Sequence, residues 1–130
     1  MKTKILTIQK MADQTGLSVH TLRYYEKIGL LKDVKRDENG YRQYEEKDVL
    51  WTEFLIRLKD TGMSIENMKI FSALRSTGDE TISARRELLV SHQKNVQKEI
   101  KWLQENLKKI EEKIVHYQTL EENRDGDTTN

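Results

Sequence analysis

The sequence predicts a mainly α-helical protein: a winged helix-turn-helix head with a two-stranded wing, two further helices and one long C-terminal helix that pairs with a second copy. Three observations carry that prediction. Gly16 separates two short amphipathic stretches, Asn39-Gly40 interrupts a segment suited to a ribbon, and apolar residues from Val96 to Tyr117 recur at alternating four- and three-residue spacing.

In the first element Thr7 is placed to cap a helix whose Ile8, Met11 and Ala12 share a face. Gly16 permits the sharp turn that follows and Leu17 plugs it. Ser18 then caps the second helix by accepting from backbone N–H groups near His20 or Thr21. Leu22, Tyr25 and Ile28 form the inward stripe of that helix, and Gly29 stops it. Two helices this short around one turn read as helix-turn-helix. Asn39-Gly40 is a strong hairpin signal, with flanking strands expected over 31–36 and 41–44. A two-stranded ribbon is barely stable alone, so it must lean on the helices as a wing. The next helix, from about Glu46 to Thr61, is expected to bury Val49, Leu50, Phe54, Leu55 and Leu58 and to end at Gly62. Ser64 caps a shorter helix carrying Ile65, Met68 and Phe71, which finishes near Thr77-Gly78.

From Thr81 to about Glu121 the pattern changes. Ile100, Leu107 and Ile114 fall at a positions and Val96, Leu103, Ile110 and Tyr117 at d positions of a heptad seam, read as the dimerisation surface. Carried backwards, the grid also lands on Leu89 and Ile82, with polar Gln93 and Arg86 between them. A helix of about forty residues is a rod of roughly 60 Å, too long for a small head to cover. The same rod from a second chain is the simplest cover. The expected organisation is a DNA-binding-type head over 5–78, a coiled-coil helix over 79–121 and a polar, disordered tail over 122–130.

Composition limits the function. The chain has 130 residues, no proline and no cysteine, which excludes disulfides, thiolate metal sites and a cysteine nucleophile. His20, His92 and His116 lack the spacing of a zinc site, so neither metal nor cofactor is expected. Residues 1–44 hold nine Lys or Arg against five Asp or Glu, while the net charge of the whole chain is only +1. The basic surplus therefore sits in the first third, compatible with a phosphate-facing head. No signal-peptide or membrane-spanning stretch is present, so the expected location is the cytoplasm, with no membrane partner. Acidic neighbours such as Glu45-Glu46 and Glu111-Glu112 point different ways on a helix, and no nucleophile-base set is visible; no catalytic residue is expected.

The combination of "LRYYEKIGLL" at 22–31, "RDENGYRQY" at 36–44, the "LKDTGMSIE" turn and a long terminal helix closely resembles the MerR family of bacterial transcription regulators. The resemblance runs from Ile5 to Glu121. It implies homodimers joined by an antiparallel coiled coil of the last helix, bound to double-stranded DNA at a promoter dyad. It also implies that bending and untwisting the duplex lets RNA polymerase read both of its recognition elements. A coiled-coil adaptor or anti-activator without specific DNA binding is the alternative from another class.

The resemblance and the residue positions together name the expected contacts. Arg23 faces outward if Leu22 and Tyr25 face in, and meets phosphate or a guanine edge, or else pairs with Glu26. Tyr24 and Tyr25 cannot point the same way; one ring enters the core, and the resemblance sends both towards phosphate. Ser18, His20 and Thr21 lie at the helix end expected to enter the groove, where His20 sets sequence preference or faces solvent and Ser18 serves as a cap. In the wing, Arg36 and Arg42 go to phosphates, Tyr41 lies near them on the face opposite Arg42, and Tyr44 packs the wing onto the head. Trp51 and Trp102 are large enough to anchor contacts, and Trp102 falls at a c position outside its own seam.

The overall length and the tryptophan-bearing helix before "LKDTGM" look most like the short, aldehyde-stress-responsive group of the family, with its thiol absent. Three routes to a signal stay open: a small-molecule effector near the coiled-coil base, a lost thiol mechanism, or control without a covalent sensor.

Overall fold

The structure, a computed structural model, describes residues 4–128. Five α-helices and one two-stranded ribbon follow in order: α1 (Ile8–Thr15), α2 (Val19–Lys27), β1 (Lys35–Arg36), β2 (Arg42–Gln43), α3 (Glu46–Asp60), α4 (Ile65–Thr77) and α5 (Ile82–Thr128), with a single 3-10 turn (Asp79–Thr81) before α5. The chain divides into two compact units between Val90 and Ser91. The first unit therefore takes in the start of α5, whose Leu88 and Leu89 pack against the head core; the sequence drew its boundary at 78.

Local chemistry explains the helix ends. Thr7, Ser18 and Ser64 each sit in extended backbone and accept a hydrogen bond from the N–H three residues on. Asp48 accepts from the Glu45 N–H at 2.8 Å and performs the same service for α3. At the end of α2, Gly29 takes φ 86°, its N–H reaches Glu26 O and the Leu30 N–H reaches Tyr25 O. This is a Schellman closure, and the pattern is repeated at Gly62 after α3.

The core is built from Met11, Leu22, Tyr25, Leu30, Tyr44, Leu55 and Met68, with Trp51 and Phe71 stacked beside them at 5.6 Å between ring centroids. Behind α2, the Trp51 Nε1–H donates to Leu30 O at 2.8 Å, and the Ser72 hydroxyl lies 2.9 Å from Gly29 O. The carbonyls of the turn that follows α2 are thus satisfied by α3 and α4. The Arg75 guanidinium covers the outer face of Trp51, 4.2 Å from the ring centroid.

Three expectations are corrected. Leu50 is 61% exposed, because the Trp51 hydrogen bond and its stack on Phe71 fix the rotation of α3 and bring in Trp51 and Thr52 instead; Phe54 is only partly buried. The strands are two residues each rather than 31–36 and 41–44. Leu31 is held in the core and Asp33 takes φ 59°, so the chain turns before it can extend. On the other side Tyr44 leaves the ribbon to exchange both backbone bonds with Leu6, a pairing that the sequence reading missed. Finally, α5 continues to Thr128, so 122–128 are helical where a disordered tail was expected. A helix already formed adds residues cheaply, and Glu121 to Arg124 contain no breaker. The remainder of the expected tail, 129–130, lies outside the described residues.

Replacing Ser72 with Ala removes the Gly29 carbonyl's side-chain donor. We expect a loss of about 1–3 kcal/mol, read as a lower urea midpoint with an unchanged slope.

Candidate nucleic-acid interface

The exposed side of α2 and the wing face one another across a cleft of about 450 Å³, lined by Arg23, by Asp37, Tyr41 and Arg42 of the wing, and by residues Ile5 to Gln9. Each wall has a sequence cause. Leu22 and Tyr25 fill the core, which turns Arg23 and Tyr24 outward. Tyr25 is 1% exposed and Tyr24 47%, the division of labour that two adjacent helical tyrosines require. His20 is exposed on the first turn, whereas Ser18 is engaged by capping: it accepts from the Thr21 N–H at 3.0 Å and its hydroxyl donates to Thr21 Oγ1 at 2.9 Å.

The wing is shaped by Asp37, whose carboxylate accepts from the Asn39 and Tyr41 N–H groups, each at 2.9 Å. Gly40 takes φ 83°, the left-handed position that closes a three-residue hairpin loop. Arg36 and Arg42 are register partners and so share one ribbon face; Tyr41 lies fully outside. Lys35 pairs with Glu45 at 2.8 Å and fastens the wing to the start of α3. Hydrogen bonding and the ammonium charge of Lys35 hold the Glu45 carboxyl below its ordinary value of 4.5.

One residue of this site was given only a minor part by the sequence. Glu26 does not pair with Arg23; its carboxylate receives Arg42 Nε–H on Oε2 and Arg36 Nη2 at 3.4 Å on Oε1. Arg23 has no ion pair among the described residues. The only signal for this in the sequence is that Glu26 is one of five acids in a basic third, one residue past Tyr25 and on the flank of the buried stripe.

Tyr44 lies in the core with its hydroxyl, like that of Tyr25, buried and without a hydrogen-bond partner among the described residues. Burial first, with the nearby carboxylates Glu26 and Asp48 adding to it, pushes the Tyr44 phenol above its ordinary value, against the opposing pull of Arg42 and Arg36. The residues expected to form the heptad seam lie apart from this cleft in sequence, all on α5. Ile100, Leu103, Leu107, Ile110, Ile114 and Tyr117 are 49–58% exposed and Val96 is partly covered. Trp102 is 62% exposed. No group of His, Asp or Glu among the described residues could hold a metal ion, and no described helix is long and apolar enough to cross a membrane.

Comparison with known proteins places this geometry. A family model described as "MerR family regulatory protein" matches residues 7–44, the span from the α1 cap to Tyr44 just past the wing. An uncharacterised HTH-type transcriptional regulator of Haemophilus influenzae is 42% identical over 112 residues, covering 86% of this chain and 83% of that protein. The HTH-type transcriptional regulator AdhR of Bacillus subtilis is 38% identical over 91 residues, covering 70% and 65% respectively. Among solved structures, HiNmlR, a MerR family regulator lacking the sensor domain and bound to promoter DNA, superposes with a TM-score of 0.82 at 40% identity over 89% of this chain and 92% of that one. A MerR family regulator from Listeria monocytogenes gives 0.84 at 35% identity over 88% and 86%.

The Lys35 and Glu45 pair makes a pH prediction. Because the folded-state value of Glu45 is lowered, its contribution to stability is full above the ordinary Glu range and disappears as pH falls through the lowered value. Thermal unfolding from about pH 5 down to about pH 2 should therefore show a shallower loss of stability in Lys35→Ala than in the parent chain.

Proposed function

The chain belongs to the MerR family, and from that membership we propose that it works as a homodimer, gripping a promoter dyad with two heads and distorting the duplex between them. It is a DNA-binding transcriptional regulator and not an enzyme. The observation that carries the finer reading is the meeting of Arg23 with Tyr41 and Arg42 on one cleft, with the free end of α2 exposed beside it.

In this reading the start of α2 enters the major groove, where His20 and Arg23 meet base edges or phosphate. Thr21 and Ser18 fix the geometry of that end. Tyr24, Arg36, Tyr41 and Arg42 meet the backbone on either side. Tyr25 and Tyr44 act through their buried rings, which seat α2 and the wing on one core. The apolar stripe from Val96 to Tyr117 pairs with the same stripe of a second copy as an antiparallel coiled coil. Its exposure along six consecutive seam positions supports this, since a continuous apolar row is costly to leave in water.

RNA polymerase at the distorted promoter is the partner that reads the outcome. We assign the chain to the aldehyde-stress-responsive group on the Trp51-bearing helix before Gly62. With no cysteine in the sequence, a thiol is not the sensor, which leaves a small-molecule effector near the coiled-coil base or control without a covalent sensor.

Gel-shift titration against the gene's own upstream DNA and random duplex, each at two salt concentrations, tests the assignment. Arg42→Ala should weaken both and flatten the log-log salt slope by roughly 0.9 per head, whereas His20→Ala should change preference among sites more than overall affinity. Binding unmoved by both variants would remove these residues from the interface.

Replacing Leu103 with Glu puts a charge into the proposed seam, costing on the order of several kcal/mol. Sedimentation should then show monomers, and upstream-DNA binding should be lost with the dimer; an intact dimer refutes the seam.

A further inference from the structure

Arg36 and Arg42 stand directly opposite one another in the ribbon, and like charges at paired positions destabilise a two-stranded sheet. The ribbon has only two residues per strand with which to resist that repulsion. What lies against both guanidinium groups is the Glu26 carboxylate, which gives one oxygen to each. Its side chain is 22% exposed and that of Arg42 is 20%, so this contact is largely out of water, where charge-assisted bonds are strongest. Arg36 is held a second time, donating from Nη1 to Gly40 O at 2.9 Å. Arg42 spends its Nε–H on Glu26, and its Nη groups have no hydrogen bond among the described residues.

An acid here is unfavourable for binding a polyanion: it cancels part of the charge that Arg36 and Arg42 bring to the wing. We propose that Glu26 is a positioning residue for the wing, holding Arg36 and Arg42 in the pose in which they meet the DNA backbone, and so giving up general DNA affinity in exchange for specificity. The inference rests on the reading of the cleft as the DNA-binding surface. It goes beyond that reading in assigning a role to a residue that touches no DNA. Fixing two long cationic side chains before the encounter removes an entropy loss that binding would otherwise bear. It also fixes the wing relative to α2, so that groove and backbone contacts form together only on a duplex of matching shape.

The test uses the full-length chain with Glu26→Gln and Glu26→Ala. Two quantities are measured: affinity for upstream and random duplex at matched salt, and hydrogen exchange of the Asp37 amide, which donates across the hairpin to Tyr41 O at 2.9 Å. With Glu26→Ala we expect upstream affinity to fall about tenfold, the effect of freeing two side chains. Random-duplex affinity should hold or rise, and Asp37 exchange should accelerate. Glu26→Gln, which keeps one acceptor oxygen but no charge, should fall between. A rise in affinity on both duplexes would show that Glu26 acts through charge alone, and an equal fall on both that it merely supports the fold; either result overturns the proposal. So does Asp37 exchange that stays at the parent rate. If the parent chain itself fails to prefer upstream DNA, the reading of the cleft fails, while the exchange rate still decides whether Glu26 holds the wing.

Discussion

The arrangement of the head depends on how the end of α2 is satisfied. A helix leaves its last carbonyls without partners, and burying them unpaired would cost more than most single apolar contacts return. Here the Schellman closure at Gly29 satisfies the Glu26 and Tyr25 carbonyls within the chain, and the Trp51 indole and Ser72 hydroxyl reach the buried carbonyls of Leu30 and Gly29 in the turn just beyond. Those two donors come from α3 and α4. The helix that presents Arg23 and His20 is therefore fixed from behind by two elements that do not share its exposed face. Because Trp51 must point at Leu30 O, the rotation of α3 follows, and Leu50 is turned to solvent as a consequence. Arg75 over the outer ring face shields the same indole from water.

The electrostatics of the cleft are equally constrained. Arg23 and Arg42 line it from two elements, with Arg36 beside Arg42 on the ribbon, and of these three only Arg23 has no ion pair among the described residues. The other two are cross-strand partners joined through a carboxylate from α2, so the wing and the helix are tied by charge as well as by the core residues Tyr25 and Tyr44. A second tie, Lys35 to Glu45, runs to α3. The ribbon is too short to be stable by its own ladder. Its position is set by these ion pairs, by the Asp37 carboxylate inside the loop and by the backbone exchange between Leu6 and Tyr44.

Much of this was legible in the sequence because it depends on local chemistry. Thr7, Ser18 and Ser64 are caps wherever a helix begins, and Gly16, Gly29, Gly40 and Gly62 mark positions where only a left-handed residue lets the chain turn sharply. The inward stripe of α2 follows from three-residue spacing alone. What could not be read is what depends on distant partners. The rotation of α3 is decided by a carbonyl in the Leu30 turn and a ring on α4, so a stripe drawn through Leu50 was a reasonable local answer to a tertiary question. The pairing of Leu6 with Tyr44 joins segments separated by the whole helix-turn-helix, and nothing near Leu6 announces it. The role of Glu26 was missed for the same reason: in sequence it offered only an alternative partner for Arg23, but its neighbours in space are on the wing.

The chain's overall charge shapes how the proposed dimer would discriminate. At +1 it has no bulk attraction for DNA, and the surplus of four over residues 1–44 is offset by the rest of the chain. Non-specific binding scales with the number of phosphates neutralised, so one head with a few arginines, two of them sharing the Glu26 carboxylate, binds any duplex weakly. Linking a second head raises the effective concentration of the other half of the interface, but only for DNA whose half-sites match the separation that the paired helices impose. Under that geometry the apolar seam on α5 and the carboxylate on α2 serve the same end. One makes binding conditional on spacing, the other makes each head's contacts conditional on a fixed wing, and the near-neutral chain ensures that little affinity remains when either condition is unmet.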